Sequence, residues 1–187
     1  AKVVDIKVME GDDGPLPYEL IENLEDAIKL FPFIKIFSMS IGHAIFEPNK
    51  KSYLTRELDA LQHKYNVTFV VSAGNRNDFM NYKYPDVLVD NLNTITSPAD
   101  TANGFSVGSL ADKANKDSLA LIDEPSPFTR TGFDTFRKPD LVHYGGNARA
   151  TGIWRDQGVK GLDVLNDELY ENVGTSFATP IVSGELA

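Results

Sequence analysis

The feature that most constrains this chain is a rhythm: an apolar run ending in a glycine-bearing loop, a segment of helical period, then a second apolar run ending the same way. The two runs are FIKIFSMSIG (residues 33–42) and VTFVVSAGN (residues 67–75). Between them Leu54, Leu58, Leu61 and Tyr65 recur at helical spacing. Ahead of them Leu20, Leu24, Ala27, Ile28 and Phe31 fall on another helical face, which Pro32 closes. The alternating KVVDIKVM of residues 2–9 reads as one more strand, followed by the acidic turn EGDDGPLP. A βαβαβ order of this kind predicts a parallel sheet with helical crossovers. Ligands of such sheets gather at the carboxyl ends of the strands, where the loops SIGH and SAGNRN lie.

From about Tyr82 the rhythm shortens. NTITSPA, GFSVGSLAD and KPDLVHYGG read as short strands and turns, and residues 113–123 and 151–172 as surface connections. With 187 residues, 42% of them hydrophobic, the chain can bury one core and is read as a single domain, residues 1–187. A net charge of -9 argues against nucleic acid or an anionic membrane surface as the main partner. No apolar run approaches the roughly 18 residues of a membrane span, and AKVVDIKVME does not read as a secretion leader. Cysteine is absent, so disulfides and thiolate metal sites are excluded, and the compartment stays open.

The chemistry concentrates in GTSFATP, residues 174–180. Its small residues favour a closely packed helix with Ser176 in the first turn, and Pro180 is best tolerated near a helix start. A serine hydroxyl is a weak nucleophile that needs a base. At a helix N-terminus it also gains free backbone N–H groups that can face the negative oxygen of an attacked carbonyl. Gly174 permits a sharp turn and Ala178 a close approach beneath the site. The bland alternative is an ordinary helix cap. Asn75, ending VVSAGN, places an amide donor at the carboxyl edge of the sheet, where it could supply the second half of an oxyanion hole. Its bland alternative is a turn asparagine in a left-handed backbone.

SMSIG, VVSAGN, KPDLV and GTSFATP, in this order, resemble the subtilisin-like serine proteases (subtilases). The resemblance implies a three-layer α/β fold, a parallel sheet with helices on both faces, and peptide-bond hydrolysis through an acyl-enzyme. Carried over, Ser176 matches the nucleophile and Asn75 the oxyanion asparagine. Ser40, Ile41 and Gly42 match the strand that pairs with substrate and walls the first specificity pocket; Ser72, Ala73 and Gly74 match the facing wall. Ser97, Pro98 and Ala99 resemble the run from that pocket into a core strand. In subtilisin itself, losing one oxyanion donor costs roughly 10² to 10³ in turnover.

The family order is Asp, His, Ser. Neither a D-[ST]-G nor an H-G-T-H setting occurs in these residues. The expectation is therefore a partial catalytic domain, a fragment of a larger protein with its N-terminal strands missing and an incomplete triad. His43 at a pocket rim, His63 at a helix end and His143 in HYGG are poor substitutes for the base, and no histidine pair has metal-ligand spacing. Calcium is common in the family, yet Asp12 and Asp13 with Gly14 fit no calcium motif and read as a solvated acidic loop. That loop could also form a substrate rail with a taste for basic residues. The expected partners are a polypeptide substrate and the absent part of the domain. Without that part, uncovered edges favour self-association. The competing reading is a non-catalytic peptide-binding module that grips extended chains by strand addition.

Overall fold

The computed structural model describes residues 3–7, 16–42, 51–132, 137–163 and 168–187. Helix α1 spans Pro17–Leu30 and buries Leu20, Ile21, Leu24, Ala27 and Ile28 along one stripe. Pro17 sits in its first turn, where a missing N–H is harmless, and Pro32 forbids continuation beyond the Phe31 cap. Helix α2, Tyr53–Tyr65, starts at Ser52, whose hydroxyl accepts the Thr55 N–H at 3.1 Å. It stops at Asn66, which adopts a left-handed φ of 51°. Leu58 in its middle is fully buried, a placement worth about 1.5–3 kcal/mol.

Four parallel strands, β1 (Ile36–Met39), β2 (Thr68–Ser72), β3 (Phe105–Leu110) and β4 (Leu141–Tyr144), lie in that order. Ile36 is in register with Thr68, Val70 with Phe105, and Val107 with Leu141. The side chains alternate between two cores. Phe37, Met39, Phe69 and Val71 meet the buried stripes of α1 and α2. Ile36, Val70, Val107 and Leu141 meet Ala178 and Val182 of the last helix, α3 (Thr175–Leu186), on the opposite face. This explains why β2 is apolar at every interior position: it has a helix layer on each side. The three-layer α/β architecture expected from the sequence is present.

Two elements differ from expectation. Residues 3–7 form no strand, and residues 8 and 9 lie outside the described residues. Their alternation is real as burial: Val4 and Ile6 are half-buried, Val3, Asp5 and Lys7 exposed, and Ile6 packs on the α1/α2 core. Period-2 patterning reports which side chains turn inward; a ladder also needs a neighbouring backbone. The second difference is in residues 151–172, expected as a surface connection without named strands. Here β5 (Val159–Asp163) and β6 (Glu168–Asn172) pair antiparallel, with Leu162 opposite Leu169. Both leucines remain well exposed, so no burial pattern marked these strands in the sequence.

Between residues 3–6 and β1 runs a groove of about 640 Å³, bounded also by Leu20 and Leu24 of α1 and by Pro180 and Gly184 of α3. Among the described residues, β1 has one strand neighbour, β2.

The two helices of the outer layer are tied by Glu25, which accepts from Lys64 Nζ at 2.8 Å and from the Tyr65 hydroxyl. Those bonds, helped by Lys29, hold its pKa down at about 2, against an ordinary value of 4.5. A carboxyl lowered by folding contributes stability above its unfolded pKa and loses that contribution as pH falls through its folded pKa. The stability of the wild-type chain is therefore expected to drop between about pH 4.5 and pH 2 more steeply than that of Glu25→Gln. Urea midpoints measured across that range check this; equal slopes would remove Glu25 as the tie.

Candidate active site

The start of α3 is assembled around Asn75. Gly174 is the N-cap, with φ 150°, and a β-carbon there would come within 3.0 Å of Asn75 Nδ2. The backbone angle favours glycine here, and the contact would crowd any β-carbon. Thr175, fully buried, donates its N–H to Asn75 Oδ1 at 2.9 Å and its hydroxyl to the same oxygen at 3.2 Å. Two donors aimed at one atom fix which end of the amide is oxygen. Nδ2 is the end left to donate elsewhere. Ser176 follows directly, half-buried, in the first turn of the helix. Asn75 and Ser176 are thereby brought to one place from positions about a hundred residues apart.

Pro180 is accommodated inside α3 by an exchange of donors. Having no N–H, it cannot bond the Ser176 carbonyl four residues back. Ser40, just past β1, donates its hydroxyl to that carbonyl at 3.0 Å instead. Ala178, fully buried against Val70 and Val107, lets the helix sit close on the sheet.

The two segments carried over as pocket walls face each other. Ser72 Oγ lies 3.5 Å from the Ile41 carbonyl, and Ala73 N–H bonds the Val107 carbonyl at 2.9 Å. Ile41 turns its side chain to the α1/α2 core, while its carbonyl faces Ser72. Gly42 and Gly74 close on the side chain of Thr96, which the sequence reading did not single out. Arg130 was also missed. Its Nε donates to the Asn75 carbonyl at 3.1 Å, and its Nη1 to the carbonyls of Leu92 and Thr94, so it fixes the backbone that carries the amide. Arg76 is almost wholly buried between Asp78 and Asp90, with its guanidinium 3.8 Å from the Tyr82 ring centre, and pins the loop that follows Asn75. Only the adjacency of RND to VVSAGN hinted at this.

A family profile described as Subtilase family matches residues 1–187. The chain belongs to the subtilases. It is similar to uncharacterized protein y4bN of Sinorhizobium fredii (strain NBRC 101917 / NGR234), with 31% identity over 181 residues, covering 79% of this chain and 42% of that protein. Among solved structures it resembles the prenylagaramide maturation protease PagA: TM-score 0.62, 21% identity, 93% of this chain and 50% of that one. It also resembles the PatG macrocyclase in complex with a peptide: TM-score 0.54, 19% identity, 88% and 39% of the respective chains. These likenesses establish the subtilisin-like protease fold. The chain spans half or less of the length of each of these relatives.

The described histidines of this subtilase lie away from Ser176. His63 is exposed in the last turn of α2. His143 Nδ1 accepts the Tyr144 N–H at 2.8 Å, and its Nε2 lies 3.6 Å from Glu185. Glu185 is nine residues along α3 from the serine, about 13 Å of helix rise. His43, Asp12 and Asp13 fall outside the described residues.

Proposed function

We propose that this subtilase chain carries the nucleophilic half of a serine endopeptidase site. Ser176 attacks the scissile carbonyl, and Asn75 Nδ2 together with backbone N–H groups at the start of α3 receives the oxyanion. The base and its orienting carboxylate come from residues outside these 187, so this stretch alone hydrolyses peptides at a vestigial rate. The observation that carries the reading is the pair of bonds from Thr175 to Asn75 Oδ1, which leaves Nδ2 as the donor end of the amide at the start of the helix that carries the candidate nucleophile. The PatG complex with a peptide supports a polypeptide as the substrate class. Ser40, Ile41 and Gly42 would pair with its backbone, and Ser72, Ala73 and Gly74 would flank its side chain.

A fluorophosphonate probe applied to the full-length protein tests this. Labelling at Ser176 supports it; no labelling at any pH favours the alternative of a peptide-gripping module without hydrolysis.

The groove beside β1 supports a second part of the proposal: the remaining portion of the catalytic domain seats there, against an apolar floor and a strand edge. The isolated 187-residue chain is accordingly expected to self-associate through that edge. Sedimentation velocity in dilute solution checks it, and a single monomeric species would contradict it.

A further inference from the structure

Residues 128–131 lie between two backbone segments and bond to both. On one side Arg130 N–H donates to the Gly74 carbonyl at 3.2 Å and Arg76 N–H to the Phe128 carbonyl at 2.8 Å, which sets Asn75 opposite Thr129. On the other side Thr131 N–H donates to the Asn93 carbonyl and Ile95 N–H to the Thr131 carbonyl, both at 2.9 Å. The Arg130 side chain repeats this bridge by itself. Its Nε bonds the Asn75 carbonyl at 3.1 Å, and its Nη1 bonds the carbonyls of Leu92 and Thr94 at 3.1 and 2.9 Å. The stretch between the two segments thus leaves and returns through one clasp.

Among the described residues no carboxylate accepts a bond from Arg130, unlike Arg76, which lies between Asp78 and Asp90. Three carbonyl oxygens meet one planar guanidinium whose donors point in fixed directions, a fit that a lysine ammonium on a flexible stem does not reproduce. The peptide unit joining Asn75 to Arg76 is held at both of its polar atoms, its N–H by the Phe128 carbonyl and its oxygen by Arg130 Nε. The side chain of Asn75 is held separately, by Thr175 at Oδ1. With main chain and side-chain oxygen both fastened, little freedom is left to Nδ2. We propose that Arg130 is a positioning residue: it acts through Asn75, holding the main chain from which the amide nitrogen is aimed at the proposed oxyanion. This rests on the endopeptidase reading above, and its test is arranged to separate the two.

The experiment measures kcat and KM for one fluorogenic peptide with the full-length protein as wild type, Arg130→Met, Asn75→Ala and the double variant. Arg130→Met removes the fork and keeps an unbranched stem. It is expected to lower kcat between about tenfold and 10²-fold, the scale of a misplaced catalytic group, with KM changed less than about threefold. In Asn75→Ala the amide is already gone, so the same arginine change should cost less than about threefold more. Urea midpoints confirm that each form is folded under the assay conditions. If Arg130→Met does not fold, Arg130→Lys takes its place: one ammonium cannot meet three carbonyls, so a kcat loss that disappears in Asn75→Ala is expected again. Fluorophosphonate labelling of wild-type Ser176 together with an unchanged kcat, a loss carried by KM, or equal losses in the two backgrounds overturns the role of Arg130 and leaves the endopeptidase reading standing. Absence of both labelling and hydrolysis in the wild type overturns the two together.

Discussion

Ser176→Ala in the full-length protein is expected to lower peptide hydrolysis about 10⁶-fold, the scale seen when the nucleophile of subtilisin is removed. Fluorophosphonate labelling should vanish with it. The size follows from the chemistry: without an attacking oxygen no acyl-enzyme forms, and what survives is water attack helped by the oxyanion donors, roughly 10³–10⁴ over the uncatalysed rate. The change should leave the fold intact. Ser176 is half-buried, and the bond it accepts from Ser40 goes to its backbone carbonyl, which alanine keeps. Steady-state hydrolysis, with circular dichroism as a folding control, checks both halves. Wild-type rates in Ser176→Ala would exclude this serine as the nucleophile.

Asn75→Asp should cost at least 10²-fold in kcat with little change in KM. The aspartate retains an oxygen to accept the two Thr175 donors, so the helix start stays anchored. It replaces the donating Nδ2 with a second acceptor carrying negative charge, directed where the proposed oxyanion would form. Asn75→Ala mixes two effects, since it also strands the Thr175 N–H and hydroxyl inside a buried position. A stability loss confined to Asn75→Ala, with a kcat loss in both variants, would separate the anchoring oxygen from the proposed catalytic nitrogen. Equal turnover in wild type and Asn75→Asp would remove Asn75 from the oxyanion site.

The layered architecture was legible because the strongest patterns arise where burial is two-sided. VTFVVS is apolar at consecutive positions, and the structure shows helices covering both faces of β2. The stripe of α1 was legible for the same reason on one face. GTSFATP and VVSAGN were legible because few sequences satisfy a tight turn, a small-residue helix and an amide together. What stayed hidden depends on contacts remote in sequence. Thr96 looks like any threonine in NTITSPA until Gly42 and Gly74 arrive from either side. Arg130 reads as a surface cation until its guanidinium is seen on three carbonyls. The hairpin of β5 and β6 hid because its leucines stay in water, and residues 3–7 misled because inward and outward side chains alternate there without a ladder.

The bond from Ser40 to the carbonyl of residue 176 ties the end of the first sheet strand to the opening turn of the last helix. A peptide laid along that strand end would therefore be referenced to the same frame as the Ser176 hydroxyl. Any sideways displacement of one would carry the other along, so the separation between a carbonyl laid on that strand end and the Ser176 hydroxyl would be preserved.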